Sequence, residues 1–241
     1  MEPENFFKAQ SFTHSSVCRF FATKKNSTNF EEATTGRGEL AEEEERFASL
    51  IRKCPSMRIL NQIHAHILTH PRLPPSTLSF ALSKVLCFAA YRNVQYAKAL
   101  LSQIPYPSIF SYNTVMRGVL LQNPSPEPIF LFRRLVQKKF PISNTFTLAF
   151  VLKCCSLLPA FEEGKQVHKH VIASGLGENL FVRTSLLNFY TKCEEVELGR
   201  KVFDEMTEKN VVAWSAMIGG YAKVGMVNEA FGLFRRCKRV G

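Results

Sequence analysis

Two pairs of histidines are the residues of this chain that come closest to a metal-binding arrangement. His64 and His66 form one pair, His168 and His170 the other, and a single residue separates the members of each. On a helix, side chains three or four positions apart share a face, whereas side chains two positions apart point to different sides. No carboxylate accompanies either pair in the spacing of a zinc metalloprotease. We therefore predict no metal and no other cofactor here, and we interpret the pairs as part of a repeat.

The remaining residues with catalytic potential form no active-site pattern. No two cysteines form a C-x-x-C pair, which argues against a structural zinc site and a thioredoxin-like motif. The chain contains no phosphate-binding loop, nucleophile elbow or H-x-E motif. We therefore predict that it is not an enzyme and that its thiols are reduced and mostly buried. The cysteines are Cys18, Cys54, Cys87, Cys154, Cys155, Cys193 and Cys237.

An internal duplication explains the recurrence of the histidines. Three different segments recur in the same order at offsets of 102 to 104 residues. A block of about three units, each of about 34 residues, has been duplicated, and such a period indicates a solenoid. The matching segments are Leu60–Ile67 with Lys165–Ile172, aligned at His64 and His168, Tyr96–Ile104 with Leu198–Met206, and Ile109–Met116 with Val211–Ile218.

Apolar periodicity indicates that each unit is a pair of helices. In the last unit, apolar residues from Trp214 to Tyr221 fall at i, i+3, i+4 and i+7, one face of a helix. Gly225 suits a left-handed C-cap, and Asn228 suits the cap of a second helix. No segment alternates with the period of a strand. The sequence predicts an all-α fold, an α-solenoid of antiparallel helix pairs stacked in a right-handed superhelix.

The same interpretation extends to the preceding units. Ser125 is predicted to cap a helix whose first turn tolerates Pro126 and Pro128, because that turn needs no intrahelical N–H partners. Tyr112 and Trp214 share one repeat position and are predicted to be core residues. Gly175 is predicted to end a helix. The helix pairs are predicted at Leu148–Leu157 with Glu162–Ser174, and at Leu180–Lys192 with Val196–Met206.

Charge is distributed unevenly along the chain. Its 31 lysines and arginines outnumber its 20 aspartates and glutamates, for a net charge of +11. Residues 1–46 carry six basic and nine acidic side chains, so residues 47–241 hold 25 basic against 11 acidic. A basic repeat region favours a polyanionic partner such as nucleic acid, although such charge also serves solubility. Apolar runs such as Phe88–Tyr91 are too short to span a bilayer, so we predict no membrane association.

The first 46 residues are predicted to be a disordered leader, in the form of an organelle transit peptide. They lack helical periodicity and end in the acidic run Glu42–Glu45. Residues 8–25 are basic, rich in serine and threonine, and free of acids, which is typical of a transit peptide. Arg19–Ala22 resembles a mitochondrial processing site, so the mitochondrion is favoured over the chloroplast. The acidic Glu2 and Glu4 leave a plain disordered tail as the alternative.

Three ordered strings are long enough to be specific: Ala160–His168 (AFEEGKQVH), Arg200–Met206 (RKVFDEM) and Val211–Lys223 (VVAWSAMIGGYAK). With them, residues 47–241 resemble pentatricopeptide repeat proteins, and more narrowly the plant subclass with alternating long, short and standard motifs. The recurring offset then corresponds to one such triplet. The last motif stops early, so we expect an N-terminal fragment of a longer array. The expected motifs are 47–70 (partial), 71–108, 109–144, 145–179, 180–210 and 211–241 (truncated).

The resemblance implies that each motif addresses one base of single-stranded RNA through its fifth and last residues. An asparagine amide offers a donor and an acceptor to a Watson–Crick edge, and a serine or threonine offers a small hydroxyl. Asn113 and Asn144 occupy these positions in the third motif, a pair associated with pyrimidines. Thr184 and Asn210 occupy them in the fifth motif and are associated with adenine.

The remaining base-binding candidates are serines. Ser215 is the fifth residue of the last motif, where a purine preference is implied. Ser83 and Ser108 occupy the two positions in the second motif, but a one-residue deletion near Arg92 leaves that register open. Asparagine is also common between helices for turn reasons alone. Candidates for phosphate contacts are Lys192, Lys223, Arg235 and Lys238.

The function predicted from these observations is sequence-specific single-stranded RNA binding in an organelle, supporting RNA editing, splicing or transcript processing. An editing deaminase domain needs H-x-E and C-x-x-C motifs, which the chain lacks. Any catalysis would therefore come from editing or processing factors supplied in trans. The alternative is a tetratricopeptide-like scaffold for protein partners, which also stacks helical hairpins. The basic repeat region and the polar pairs favour RNA.

Overall fold

The computed structural model describes residues 34–70, 73–138 and 144–240. Contacts divide the chain into two units, Met1–Ala41 and Glu42–Gly241, and the fold below is that of the second. The described residues form twelve α-helices and no strand, as predicted. None of these helices has the length and apolarity needed to cross a bilayer. The helices are α1 (Thr34–Arg52), α2 (Met57–Thr69), α3 (Pro75–Arg92), α4 (Val94–Gln103), α5 (Ile109–Gln122), α6 (Glu127–Gln137), α7 (Thr145–Leu157), α8 (Phe161–Ala173), α9 (Leu180–Lys192), α10 (Val196–Glu205), α11 (Val211–Lys223) and α12 (Val227–Val240).

The helices from α3 onward form two rows. In the first row, α3, α5, α7, α9 and α11 each pack on the next. In the second row, α4, α6, α8 and α10 each pack on the first-row helix before them and on the one after. Each hairpin thus buries its apolar side against its neighbours, which is the architecture of a solenoid. The predicted stack of helix pairs is confirmed.

The interior of the stack holds the aromatic residues predicted for it. Tyr112 and Trp214 are both buried, and the ring of Trp214 packs edge-on against Phe203 with centroids 4.9 Å apart. Two predicted helix ends are also confirmed, because Gly175 and Gly225 have φ values of 70° and 80°. Only a residue without a side chain adopts this left-handed conformation at no steric cost.

The outer side of α12 differs from that of α10. Val196 and Phe203 on α10 are buried, because α11 covers them. Val227 and Phe234 occupy the matching places on α12 and are 53% and 46% exposed. Within the part of the chain that the structure describes, no further first-row helix lies against α12.

Two predicted helix caps are wrong. Helix α6 begins at Glu127, not Pro126, because Pro126 itself is the N-cap and its carbonyl accepts the backbone N–H of Ile129 at 3.0 Å. Ser125 therefore lies outside the helix. Helix α12 begins at Val227, so Asn228 lies inside its first turn rather than at the cap.

The predicted boundary between residues 46 and 47 falls inside a helix. Helix α1 runs through the acidic run, and glutamate is a good helix former. Phe47 and Ile51 lie one turn apart on α1 and are buried, which holds its C-terminal half on the array. Residues 34–46 are thus helical, whereas the sequence predicts a disordered leader there. The transit-peptide features before Thr34, including Arg19, lie outside the described residues.

Candidate nucleic-acid interface

Asn113 of α5 is held by the next first-row helix. The hydroxyl of Thr147 on α7 donates a hydrogen bond of 2.7 Å to its Oδ1. Thr147 is fully buried and Asn113 is 8% exposed. The fifth residue of the motif 109–144 therefore contacts the third residue of the following motif.

Asn144 lies at the start of the same helix. It is the N-cap of α7, where its Oδ1 accepts the backbone N–H of Phe146 at 2.9 Å. Its backbone carbonyl accepts the N–H of Thr147 at 3.1 Å. Asn113 and Asn144 thus both bind the first turn of α7. The structure brings this predicted pair to one place.

Ser83 and Ser108 converge in the same way. The hydroxyl of Ser111, which is fully buried on α5, lies 3.3 Å from that of Ser83 and 3.2 Å from that of Ser108. Ser108 is the N-cap of α5 and accepts the backbone N–H of Ser111. Ser83 therefore contacts the third residue of the next motif, as Asn113 does. In its placement on the row, Ser83 thus corresponds to Asn113.

For Thr184 and Asn210, no hydrogen bond between motifs joins the two positions among the described residues. Asn210 is the N-cap of α11 and accepts the backbone N–H of Ala213 at 2.8 Å. The third residue of that motif, Ala213, has no hydroxyl to donate. Thr184 is buried on α9 and its own hydroxyl donates to the carbonyl of Leu180 at 2.7 Å. The hydroxyl oxygen of Thr184 thus keeps acceptor capacity only.

Ser215 is exposed on α11. It is the fifth residue of the last motif, and the described chain has no next first-row helix to cover it. Ser215 therefore differs from Asn113 and Thr184, which the stack buries. The last residue of each of these motifs is a helix N-cap. This role alone explains why asparagine recurs at the last position, whether or not a ligand binds there.

A row of phenylalanines was missed by the sequence analysis. Each precedes a fifth residue by three positions, so the two side chains share one helix face. The ring of Phe146 is 44% exposed and lies 5.7 Å from that of Phe181, measured between centroids. Flat apolar rings of this kind provide stacking surfaces for bases. The signal was the recurrence of phenylalanine three residues before positions 83, 113, 149 and 184: Phe80, Phe110, Phe146 and Phe181.

Lysines lie near the C-terminal ends of the first-row helices. Burial, followed by the positive charge of Lys192 on α9, lowers the pKa of Lys153 on α7 below its ordinary value. The two ammonium groups therefore reinforce one positive potential. Lys223 on α11 is paired with Glu194 at 3.0 Å, so part of its charge is neutralised. Arg235 and Lys238 are exposed on α12, which packs on α11.

The histidine pairs have structural partners, and the members of each pair point to different sides as predicted. The Nδ1 atoms of His64 and His168 lie 2.5 and 2.7 Å from the hydroxyls of Tyr96 and Tyr190. The other members pack against aromatic rings; His170, for example, lies edge-on to Phe132. Burial lowers the pKa of both His64 and His168.

Comparisons with known proteins identify the repeat. A family model described as PPR repeat matches residues 181–211 and 212–241, each one residue after a boundary predicted from the sequence. The chain belongs to the pentatricopeptide repeat family. A pentatricopeptide repeat-containing protein of Arabidopsis thaliana, named as chloroplastic/mitochondrial, is 35% identical over 199 residues, covering 81% of this chain and 31% of the relative.

Other pentatricopeptide repeat proteins match over similar lengths. A chloroplastic relative from Arabidopsis thaliana is 33% identical over 77% of this chain and 31% of its own length. A mitochondrial relative from the same plant is 40% identical over 58% of this chain and 21% of its own length. The chain thus spans less than a third of the length of these relatives. The crystal structure of the pentatricopeptide repeat protein PPR10 from maize aligns with a TM-score of 0.42 at 14% identity, over all of this chain and 44% of that one.

Proposed function

We propose that this protein binds single-stranded RNA along its first row of helices and addresses one base per motif. The observation that carries the proposal is the convergence of the fifth and last residues of a motif on the first turn of the next first-row helix. Asn113 and Asn144 meet at Thr147, and Ser83 and Ser108 meet at Ser111. Polar groups that converge at regular intervals along a row suit a polymer with regularly spaced bases.

The phenylalanines and lysines of the same row support this proposal. The phenylalanines stand beside the fifth residues and offer stacking surfaces, which bind bases without regard to sequence. Lys153 and Lys192 provide positive potential for the phosphates. In this arrangement stacking and charge supply affinity, and the polar pairs supply base preference. We expect a pyrimidine at Asn113 and Asn144, and adenine at Thr184 and Asn210.

The location of this activity is proposed to be an organelle. Relatives whose names read chloroplastic or mitochondrial support it, and the basic, serine-rich residues 8–25 favour the mitochondrion. We propose that the bound RNA is edited, spliced or processed by factors supplied in trans. We also propose that the protein is a member of the plant subclass with alternating long, short and standard motifs.

Selection from a random RNA pool tests the function. The protein should retain RNA of a shared sequence, and affinity should fall as salt rises. Each nucleotide of the selected RNA is then changed to the other three bases. We expect the wild-type protein to prefer particular bases at one nucleotide, and we expect Asn113→Ala to abolish that preference. If no RNA is retained at low salt while a protein partner is, the scaffold alternative holds instead.

A further inference from the structure

The side chain of Asn113 has two chemically different ends, and the structure holds one of them. Its Oδ1 accepts the hydrogen bond from Thr147 in a buried setting. A half-turn of the planar amide would exchange its oxygen and its nitrogen. Among the described residues, no hydrogen bond takes up the Nδ2 of Asn113. The hydroxyl of Thr147 has no other acceptor among the described residues, so a turned amide would leave this buried hydroxyl proton without a partner. The observed orientation, which leaves the NH2 group for a ligand, is therefore the favoured one.

The same position is polar in the neighbouring motif and apolar in the later ones. Ser111, also a third residue, contacts Ser83 and Ser108. Val182 and Ala213 occupy the position in the next two motifs and have no hydroxyl. The hydrogen bond across motifs thus occurs where a third-position hydroxyl meets a polar fifth residue.

We propose that Thr147 is a positioning residue for base recognition by the motif before its own. It acts through Asn113, by fixing the amide as a hydrogen-bond donor toward the base. Ser111 contacts the fifth residue Ser83 at the corresponding place. This inference rests on the proposed RNA binding and adds a residue to the recognition unit of Asn113, namely the third residue of the following motif.

The consequence is a narrower base preference. A freely turning amide offers either its donor or its acceptor, and therefore pairs with base edges of both kinds. An amide whose oxygen is turned toward the buried hydroxyl presents its NH2 group to the base, and it favours bases that have an acceptor at that point. Because the bond is buried, water competes with it weakly. The hydroxyl of Thr147 thus removes one of the two ways in which Asn113 reads a base.

The test compares Thr147→Val, which removes the hydroxyl, with Thr147→Ser, which retains it. The RNA is the sequence selected by the wild-type protein, with the nucleotide that responds to Asn113→Ala set to each of the four bases. Thr147→Val should lower the ratio of affinities between preferred and disfavoured bases about fivefold, the factor associated with one hydrogen bond. Thr147→Ser should restore the ratio. Thr191→Val is the matched control, because Thr191 is also buried but donates only within its own helix.

A second variant tests the orientation without removing the hydroxyl. In Asn113→Asp, one carboxylate oxygen keeps the bond from Thr147 and the other replaces the NH2 group. The preference at that nucleotide should therefore change from bases with an acceptor to bases with a donor. This arm decides the question if Thr147→Val does not fold.

The outcomes separate the two proposals. A wild-type protein without base preference at any nucleotide contradicts the proposed function. Preference in the wild type that survives Thr147→Val overturns the role of Thr147. An equal loss of affinity for all four bases also overturns that role, because it indicates a packing function. An Asn113→Asp variant with unchanged preference overturns it as well.

Discussion

The carbonyl oxygen of Ala90 on α3 lies only 2.5 Å from the point where a β-carbon on Gly118 of α5 would stand. The two helices therefore approach closely enough to exclude even a methyl group. This contact belongs to the first row, on which the fifth residues depend for their spacing. Gly118 is consequently required by packing rather than by backbone conformation.

Gly118→Ala should destabilise the protein by about 2 kcal/mol, because the clash is with backbone and overpacking typically costs about 1–3 kcal/mol. Gly219→Ala is the control, since a β-carbon at Gly219 on α11 meets nothing within 4 Å. The control should stabilise the protein by about 0.5–1 kcal/mol, as alanine is the better helix former. Urea unfolding of both variants measures the difference, and equal stabilities would contradict the contact.

Asn144 should show separable roles in folding and in recognition. Asn144→Ala removes the N-cap of α7 and should cost about 1 kcal/mol of stability. Asn144→Asp keeps the capping oxygen and should preserve stability while it replaces the amide NH2. We expect the aspartate variant to change base preference at the nucleotide of this motif. Thermal unfolding and RNA binding on the same samples distinguish the roles, and an aspartate variant with wild-type preference would assign Asn144 to capping alone.

The buried histidines should make stability sensitive to acid. Burial lowers the pKa of His64 and His168 in the folded state below the ordinary value of 6.5. Above that value both states are neutral and stability is complete. As pH falls below it, the unfolded state binds more protons and stability is lost down to the folded pKa.

His168→Gln should reduce this loss between pH 7 and pH 5, measured as the midpoint of urea unfolding. His170→Gln is the matched control, because His170 packs edge-on to Phe132 on a different side of α8. A His168→Gln variant with the full pH dependence of the wild type would show that other groups cause it.

Lys192 should contribute to phosphate binding through the positive potential it shares with Lys153. Lys192→Gln should weaken RNA binding for every sequence and reduce the slope of log affinity against log salt by about 0.7, the value for one contact to a single strand. Lys201→Gln is the control, since Lys201 is exposed on α10 in the second row. Equal effects of the two changes would indicate general charge rather than an RNA path along the first row.

Local features of the fold could be predicted from the sequence where a single pattern, such as apolar periodicity or a glycine after a helix, determines the structure. Helix α9 has the predicted bounds, Leu180–Lys192, and Gly225 adopts the predicted left-handed conformation. Caps were less predictable where neighbouring residues compete. At α6 the proline ring fixes the φ angle of Pro126, and Pro126 becomes the N-cap. The helix therefore begins one residue later than a cap at Ser125 would place it.

The individual residues of the candidate site could be predicted from the sequence, but the contacts between them could not. Asn113 and Asn144 follow from the motif, whereas the bond from Thr147 joins residues 34 positions apart. Such a pair becomes visible only when one motif is placed on the next. The phenylalanines were overlooked for a related reason, because a single phenylalanine such as Phe146 resembles a core residue within its own helix.

The two-row stack protects the recognition unit of α5 and α7 from local opening. The hairpin of α5 and α6 packs on α3 and α4 before it and on α7 after it, and α7 in turn packs on α9. In a nearest-neighbour system, a unit with two interfaces opens at a higher free energy than a unit with one. Asn113 and Thr147 therefore stay paired while hairpins elsewhere in the array open locally.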